Sequence, residues 1–180
     1  MKVTETKLQG CVIIEPEVFG DERGFFLETF HEERYRELVG IKEPFVQDNY
    51  SRSSYGVLRG LHFQIAKPQG KLVRVVRGSV FDVSVDIRPS SKTFGQWIGI
   101  ELTEANKKQI WIPSGFAHGF IVLSDSADFE YKCTNFYDPS DEGVIHWQDA
   151  SLAIEWPKDV DINISDKDNN APSFKSIFKL

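Results

Sequence analysis

The clearest signal in the chain is strict alternation. From Phe81 through Asp82, Val83, Ser84, Val85, Asp86 and Ile87 to Arg88, apolar and polar residues take turns. Successive side chains of a strand point to opposite faces, so this run predicts a β-strand with one face buried. Val73 and Val75 mark the strand before it, and Arg77-Gly78 reads as a tight turn. Ile98, Ile100 and Leu102 repeat the pattern, with Pro89 and Glu104-Ala105-Asn106 as punctuation. Ile110-Trp111-Ile112 leads into Pro113-Ser114-Gly115, after which Phe116 to Leu123 resumes. Phe129, Tyr131 and Cys133 share one parity, which Asn135 and Tyr137 continue. One stretch has helical spacing instead: His31 to Val39, with Tyr35, Leu38 and Val39 apolar and Gly40 as its stop. After Pro157 the chain reads as polar and irregular. Many short strands with regular turns and a single helix predict an all-β sandwich or barrel.

Length and composition fit that reading. With 180 residues and no repeat or linker, a single domain over 1–180 is expected, and 41% apolar residues suffice for a core. Aromatic residues reach 13%, with 14 Phe, which favours strands and a lined cavity. A net charge of −6 argues against nucleic acid or an anionic membrane as partner. A phosphate-bearing small molecule would need locally placed Arg or Lys. Cys11 and Cys133 lie far apart and outside any CxxC, so reduced thiols are expected. Met1 to Lys7 lacks the apolar core of a signal peptide, and no run is long enough to span a bilayer. The expected location is the cytoplasm.

Four histidines are present. His31, among glutamates at a helix start, and His146, in a turn-rich segment, read as surface residues. His62 in Arg59-Gly60-Leu61-His62-Phe63 and His118 in Gly115-Phe116-Ala117-His118-Gly119-Phe120 each sit beside glycine, which permits close approach of backbone or ligand. Metal-binding barrels of this type use His-x-His with a later Glu and a third His. Here the pair is His62-Phe63-Gln64, and Gln is a poor ligand for zinc or iron, so no metal is expected. Nucleophile elbows, dinucleotide fingerprints and phosphate loops are missing from the sequence. What remains is acid–base chemistry. His62 suits a general base, since imidazole titrates near neutrality. Tyr131 is a candidate acid and Lys71 a candidate partner for negative charge. Each also has an ordinary reading, as a core histidine, a core tyrosine or a solvated lysine.

Taken together, these segments resemble the dTDP-4-dehydrorhamnose 3,5-epimerase family over nearly the whole chain. The matching stretches run from Val18-Phe19-Gly20-Asp21-Glu22-Arg23-Gly24-Phe25-Phe26 and Phe45-Val46-Gln47-Asp48-Asn49 to Gly56-Val57-Leu58-Arg59-Gly60-Leu61-His62-Phe63-Gln64 and Gln69-Gly70-Lys71-Leu72-Val73-Arg74. Trp111-Ile112-Pro113, Gly115-Phe116-Ala117-His118-Gly119-Phe120 and Ser165-Asp166-Lys167-Asp168 follow in the same order. The resemblance implies an all-β jelly roll of the cupin type, usually dimeric, with no cofactor. It implies His62 as base, paired with Asp168 rather than Asp166, Tyr131 as opposing acid, and Lys71 facing an enolate. Arg59 and His118 become further substrate contacts. Arg23, Phe26, Glu28, Gln47, Asn49 and Tyr137 match nucleotide-contacting positions. An exchanged N-terminal strand would place Arg23, Phe26 and Glu28 in the partner subunit's pocket.

The implied substrate is dTDP-4-dehydro-6-deoxy-D-glucose, whose C4 ketone acidifies the hydrogens on C3 and C5. One base and one acid on opposite sides can invert both centres without a redox cofactor. The rivals are a single-centre epimerase or ketoisomerase on the same scaffold, a non-catalytic sugar-nucleotide binder, and a metal-dependent oxygenase, against which Gln64 speaks. One local conflict remains. Strict alternation puts Arg59 and His62 on opposite faces, so a shared pocket requires a bulge near Gly60.

Overall fold

A computed structural model describes residues 1–179. The chain opens with β1 (Lys2–Glu5), β2 (Val12–Glu15), β3 (Val18–Asp21), β4 (Gly24–Leu27) and helix α1 (Glu32–Leu38). The strands β5 (Gln47–Ser54), β6 (Val57–Gln64), β7 (Lys71–Arg77), β8 (Ser79–Asp86) and β9 (Trp97–Thr103) follow. Then come β10 (Gln109–Ile112), β11 (Phe116–Val122), β12 (Ser126–Cys133), β13 (Glu142–Val144) and β14 (Asn163–Ile164). Helices α2 (Asp166–Asn169) and α3 (Phe174–Phe178) complete the order.

Two sheets face each other. One has the order β1-β2-β10-β7-β12-β5 and the other β13-β6-β11-β8-β9, with β14 joining β6 in parallel. The chain passes back and forth between them, which makes a jelly roll of the cupin type. Gly78 makes one such passage. The expected turn at Arg77-Gly78 does not fold a hairpin; it carries the chain from β7 in one sheet to β8 in the other. Its φ is +77°, and a Cβ there would lie 2.2 Å from the Ser126 carbonyl oxygen, so only glycine fits.

The main core lies between the sheets. Val73, Val75 and Phe129 from one meet Val80, Leu102 and Phe120 from the other, and each such side chain contributes about 1.5–3 kcal/mol on full burial. A second core covers the outer face of the β6–β11–β8 sheet. There Leu61, Val83, Val85 and Ile87 pack under Trp147, Trp156 and Phe174. This overturns the simple reading of the alternating run. Both faces of β8 are buried, and its polar residues Asp82, Ser84 and Asp86 are 0% exposed. The apolar parity packs outward against the later chain, and the polar parity points between the sheets.

The segment after Pro157 is likewise more regular than its polarity predicts. Ile162 and Ile164 pack on the second core, and so do Phe174, Ile177 and Phe178, spaced for one helix face. Ser165 and Ser173 cap α2 and α3 by accepting the backbone N–H groups of Asp168 and Ser176. Helix α1 agrees with its expected span. His31 caps it, Glu32 and Glu33 suit its N-terminal dipole, and Gly40 follows at φ +85°. Its packing differs from the expected stripe, because Tyr35 is buried while Leu38 stays 54% exposed. Among the described residues no helix is long and apolar enough to cross a membrane.

Candidate active site

The bulge required by Arg59 and His62 is present. His118 of β11 pairs with His62 of β6, yet two residues on, Phe120 pairs with Arg59. Strand β6 therefore holds one residue more than its partner, and Arg59 and His62 fall on the same inner face. Gly60 occupies the irregularity at φ +123°, where a Cβ would stand 2.5 Å from the Gly119 Cα. Gly119 is equally constrained, since a Cβ there would meet the Arg59 carbonyl oxygen at 2.7 Å. The two glycines let the strands close around the bulge.

The bulge also opens a place for Asp168. Along the outer edge of β6, β14 pairs with Val57 and Leu58 and β13 with His62 to Gln64. Between them the carboxylate of Asp168 fills the gap. Its Oδ2 accepts the Gly60 N–H at 3.1 Å, and its Oδ1 lies 2.8 Å from His62 Nε2. Ser165 holds the short helix that presents it. Burial opposes ionisation of Asp168, but the His62 hydrogen bond and charge, with the Gly60 N–H, hold its carboxyl below the ordinary value. A carboxylate only accepts, so Nε2 carries the hydrogen of neutral His62 and the lone pair sits on Nδ1.

The opposite sheet carries Tyr131 and Lys71. In β12, Tyr131 and Cys133 share the inward parity of Phe129, and in β7 Lys71 shares that of Val73. Lys71 Nζ lies 5.8 Å from the centre of the Tyr131 ring. Burial pushes the Tyr131 phenol up to about 12, so it holds its proton at neutral pH. Removal from water pushes the Lys71 ammonium down, against the opposing pull of Cys133, Asp82 and Glu142. Aromatic contacts join the two walls. The His118 ring stacks on Phe129 at 6.0 Å, and Phe129 lies 5.9 Å from Tyr131.

The other expected residues divide into two groups. Arg59 is exposed at the rim of the interior, where its Nε donates to Ser53 Oγ of β5 at 3.1 Å. His118 is buried and paired with Asp82, Nε2 to Oδ2 at 2.8 Å. Gln47 and Asn49 share the inward parity of β5 and bond to each other at 3.0 Å. Tyr137 lies beyond the end of β12, so strand parity does not extend to it or to Asn135. Its backbone N–H donates to Gln47 Oε1. Arg23 and Phe26 stand apart on the β3–β4 hairpin, a two-stranded sheet of its own, and Glu28 follows it directly. Arg23 pairs with Asp21, Glu28 pairs with Arg34, and Phe26 is 68% exposed.

Several polar groups at this end of the barrel escape sequence reasoning. Asp82 and Ser84 were legible as a polar parity but not as an interior one. Asp82 Oδ1 and Ser84 Oγ are buried with no hydrogen-bond partner among the described residues. Glu142 and Lys167 form an ion pair beside Tyr137, whose hydroxyl donates to Glu142 at 3.3 Å. Neither belongs to a periodic pattern, and only the fold brings them together. Both cysteines are free and buried, and burial pushes Cys11 up to about 12. Among the described residues no group of three or more His, Cys, Asp or Glu side chains converges as a metal site.

A barrel furnished in this way belongs with the cupin-type isomerases, enzymes that move protons rather than electrons. The family model described as dTDP-4-dehydrorhamnose 3,5-epimerase matches residues 5–176, and the chain belongs to that family. It is 55% identical to the dTDP-4-dehydrorhamnose 3,5-epimerase of Salmonella typhimurium, over 96% of this chain and 94% of that one. The fold is similar to the crystal structure of a dTDP-6-deoxy-D-glucose-3,5-epimerase from Legionella pneumophila in complex with dTDP-4-keto-L-rhamnose. That protein is 56% identical, with a TM-score of 0.93 over 96% of this chain and 92% of the other. A 3′-monoepimerase from Streptomyces bikiniensis in complex with dTDP-quinovose shares the fold at a TM-score of 0.91, with 32% identity over 97% and 88% of the two chains.

Proposed function

We propose that this protein inverts C3 and C5 of dTDP-4-dehydro-6-deoxy-D-glucose, giving dTDP-4-dehydro-β-L-rhamnose. The observation that carries the reading is His62 on one sheet, paired with Asp168 of α2, with Tyr131 and Lys71 projecting inward from the other sheet. Nδ1 of His62 takes the hydrogen from the carbon beside the ketone, and the electron pair moves onto the C4 oxygen. Asp168 stabilises the imidazolium that forms. Lys71 faces the negative oxygen, and Tyr131 returns a proton to the carbon from the opposite side. The imidazolium then gives its proton to solvent and the phenolate takes one back, and the second carbon follows the same course. The ketone is already in place, so the reaction requires no change of oxidation state.

A general base contributes on the order of 10²–10⁴-fold and a donor to a developing oxyanion roughly 2.7–4 kcal/mol. Neither suffices alone for a carbon acid, so binding energy from the remote nucleotide completes the task. Arg59 and His118 touch the sugar in this reading, and Gln47, Asn49 and Tyr137 touch the nucleotide. Arg23, Phe26 and Glu28 reach the pocket of a second subunit through an exchanged hairpin. The exposure of Val18, Phe19, Phe25 and Phe26 supports such a homodimer, since a surface of this kind gains by being covered. The site of action is the cytoplasm.

The identity of the inverted centres distinguishes this reading from the single-centre alternative, which the resemblance to a 3′-monoepimerase keeps in view. Incubation with the keto sugar in D₂O, followed by NMR, decides. Deuterium at C3 and C5 with the L-configured product supports the reading. Deuterium at one centre selects the monoepimerase, and no exchange leaves a binder.

A further inference from the structure

We propose that Gln64 is a positioning residue whose side-chain amide sets the loop that presents Tyr137 to the nucleotide; this rests on the dTDP-sugar pocket described above. Gln64 ends β6 and is 6% exposed. Its Nε2 donates to the carbonyl oxygens of Lys67 at 2.7 Å and Phe136 at 3.2 Å. Its Oε1 accepts the Asp138 N–H at 3.0 Å. The amide therefore grips backbone groups on both sides of Tyr137. The N–H of Tyr137 itself is held by Gln47 Oε1 at 2.9 Å. Two glutamines thus fix the main chain at 136, 137 and 138. The ring has a weaker hold, a 3.3 Å bond from its hydroxyl to Glu142 at 49% exposure, so the backbone decides where it stands.

The residue type follows from this task. Two carbonyls and one N–H must be met from one point. An amide offers two donor hydrogens and an acceptor, a carboxylate only accepts, and a neutral imidazole has one of each. Gln64 thereby accounts for the missing second histidine of the His-x-His spacing. The same loops are joined elsewhere. Asp141 accepts the N–H groups of Ile65, Ala66 and Lys67, and Gly70 and Thr134 exchange hydrogen bonds at 2.8 and 2.9 Å. Asp141 and the Gly70–Thr134 pair thus hold the segment leading to Lys71 without the Gln64 amide, whose own task is the segment that carries Tyr137.

The test is a double-mutant cycle on dTDP affinity, measured by calorimetry, together with steady-state kinetics on the keto sugar. Gln64→Leu should raise both the dTDP Kd and the KM by about tenfold or more and leave kcat within about threefold. In a Tyr137→Ala background the same substitution should cost little further, since both act through one ring. Additive losses, or a fall in kcat at unchanged KM, would overturn the inference. Gln64→Glu provides a second readout if the leucine variant fails to fold. As a neutral acid it keeps one donor and one acceptor; ionised, it turns negative charge on two carbonyls, among Asp138, Asp141 and Glu142 and against Lys67. Its KM relative to the wild type should climb with pH, and parallel profiles would refute the role. Failure of the wild-type protein to bind dTDP would instead sink the functional reading.

Discussion

Arg59 and His62 stand three positions apart on β6 yet face the same interior, because Gly60 is a residue that β11 does not match. Strand periodicity alone would send one of them outward. The proposed chemistry therefore depends on an irregularity, and the irregularity depends on two glycines. Gly60→Ala should disturb both. The added methyl meets the Gly119 Cα in a backbone conformation that L residues avoid. Strain of about 1–3 kcal/mol is expected. At about 2–4 °C per kcal/mol for a chain of this size, thermal melting should report it. The His62–Asp168 bond should loosen with it, so turnover should fall more than stability.

His62→Asn and Tyr131→Phe should separate the two sides of the reaction. Without the imidazole, deuterium exchange at C3 and C5 should both fall, by on the order of 10²–10⁴-fold. Without the phenol, His62 can still remove hydrogen, so exchange should persist while inversion fails at one centre or both. NMR in D₂O reads both outcomes. Full epimerisation by Tyr131→Phe would assign the acid elsewhere.

Exchange of the hairpin has a distinctive genetic signature. Arg23→Ala and His62→Asn should each abolish most activity as separate homodimers. Subunits mixed and reassorted at random form heterodimers in which one pocket collects both lesions and the other none. Activity should then recover to roughly a quarter of the wild-type value, as two-fold symmetry requires. If Arg23 serves its own subunit's pocket, mixing restores nothing.

Acid stability should report on Asp86. Burial opposes its ionisation, but hydrogen bonds from Arg88, Ser91 and Thr93 prevail and hold its carboxyl at about 2. A depressed carboxylate stabilises the fold above its unfolded value near 4, and the gain is lost as pH falls through the folded value. Asp86→Ala should therefore be destabilised at neutral pH by about 2 kcal/mol. Its deficit relative to the wild type should shrink between about pH 4 and pH 2. Urea titrations at several pH values would show a constant deficit if the group acts only through packing.

Much of this molecule is legible in its residues. The strands of the middle chain and helix α1 follow from parity and glycine placement, and the bulge from parity once family likeness puts Arg59 and His62 in one pocket. The orientation of β8 does not. Alternation separates two faces but does not say which is inner, and here a later segment covers the apolar one. That segment reads as irregular because its apolar residues are sparse, although Phe174, Ile177 and Phe178 suffice to dock it. The pairing of Asp168 with His62 came only from family likeness, since no local pattern links residues 106 apart. The Glu142–Lys167 pair and the buried Asp82 and Ser84 likewise needed the third dimension.

The placement of Asp168 also bears on how the protein is made. A ribosome delivers the histidine early and its carboxylate after 106 further residues. The barrel walls and the carboxylate that meets His62 thus come from distant stretches of the chain, and in the reading proposed above the base has its partner only where the segment carrying α2 seats on the outer edge of β6.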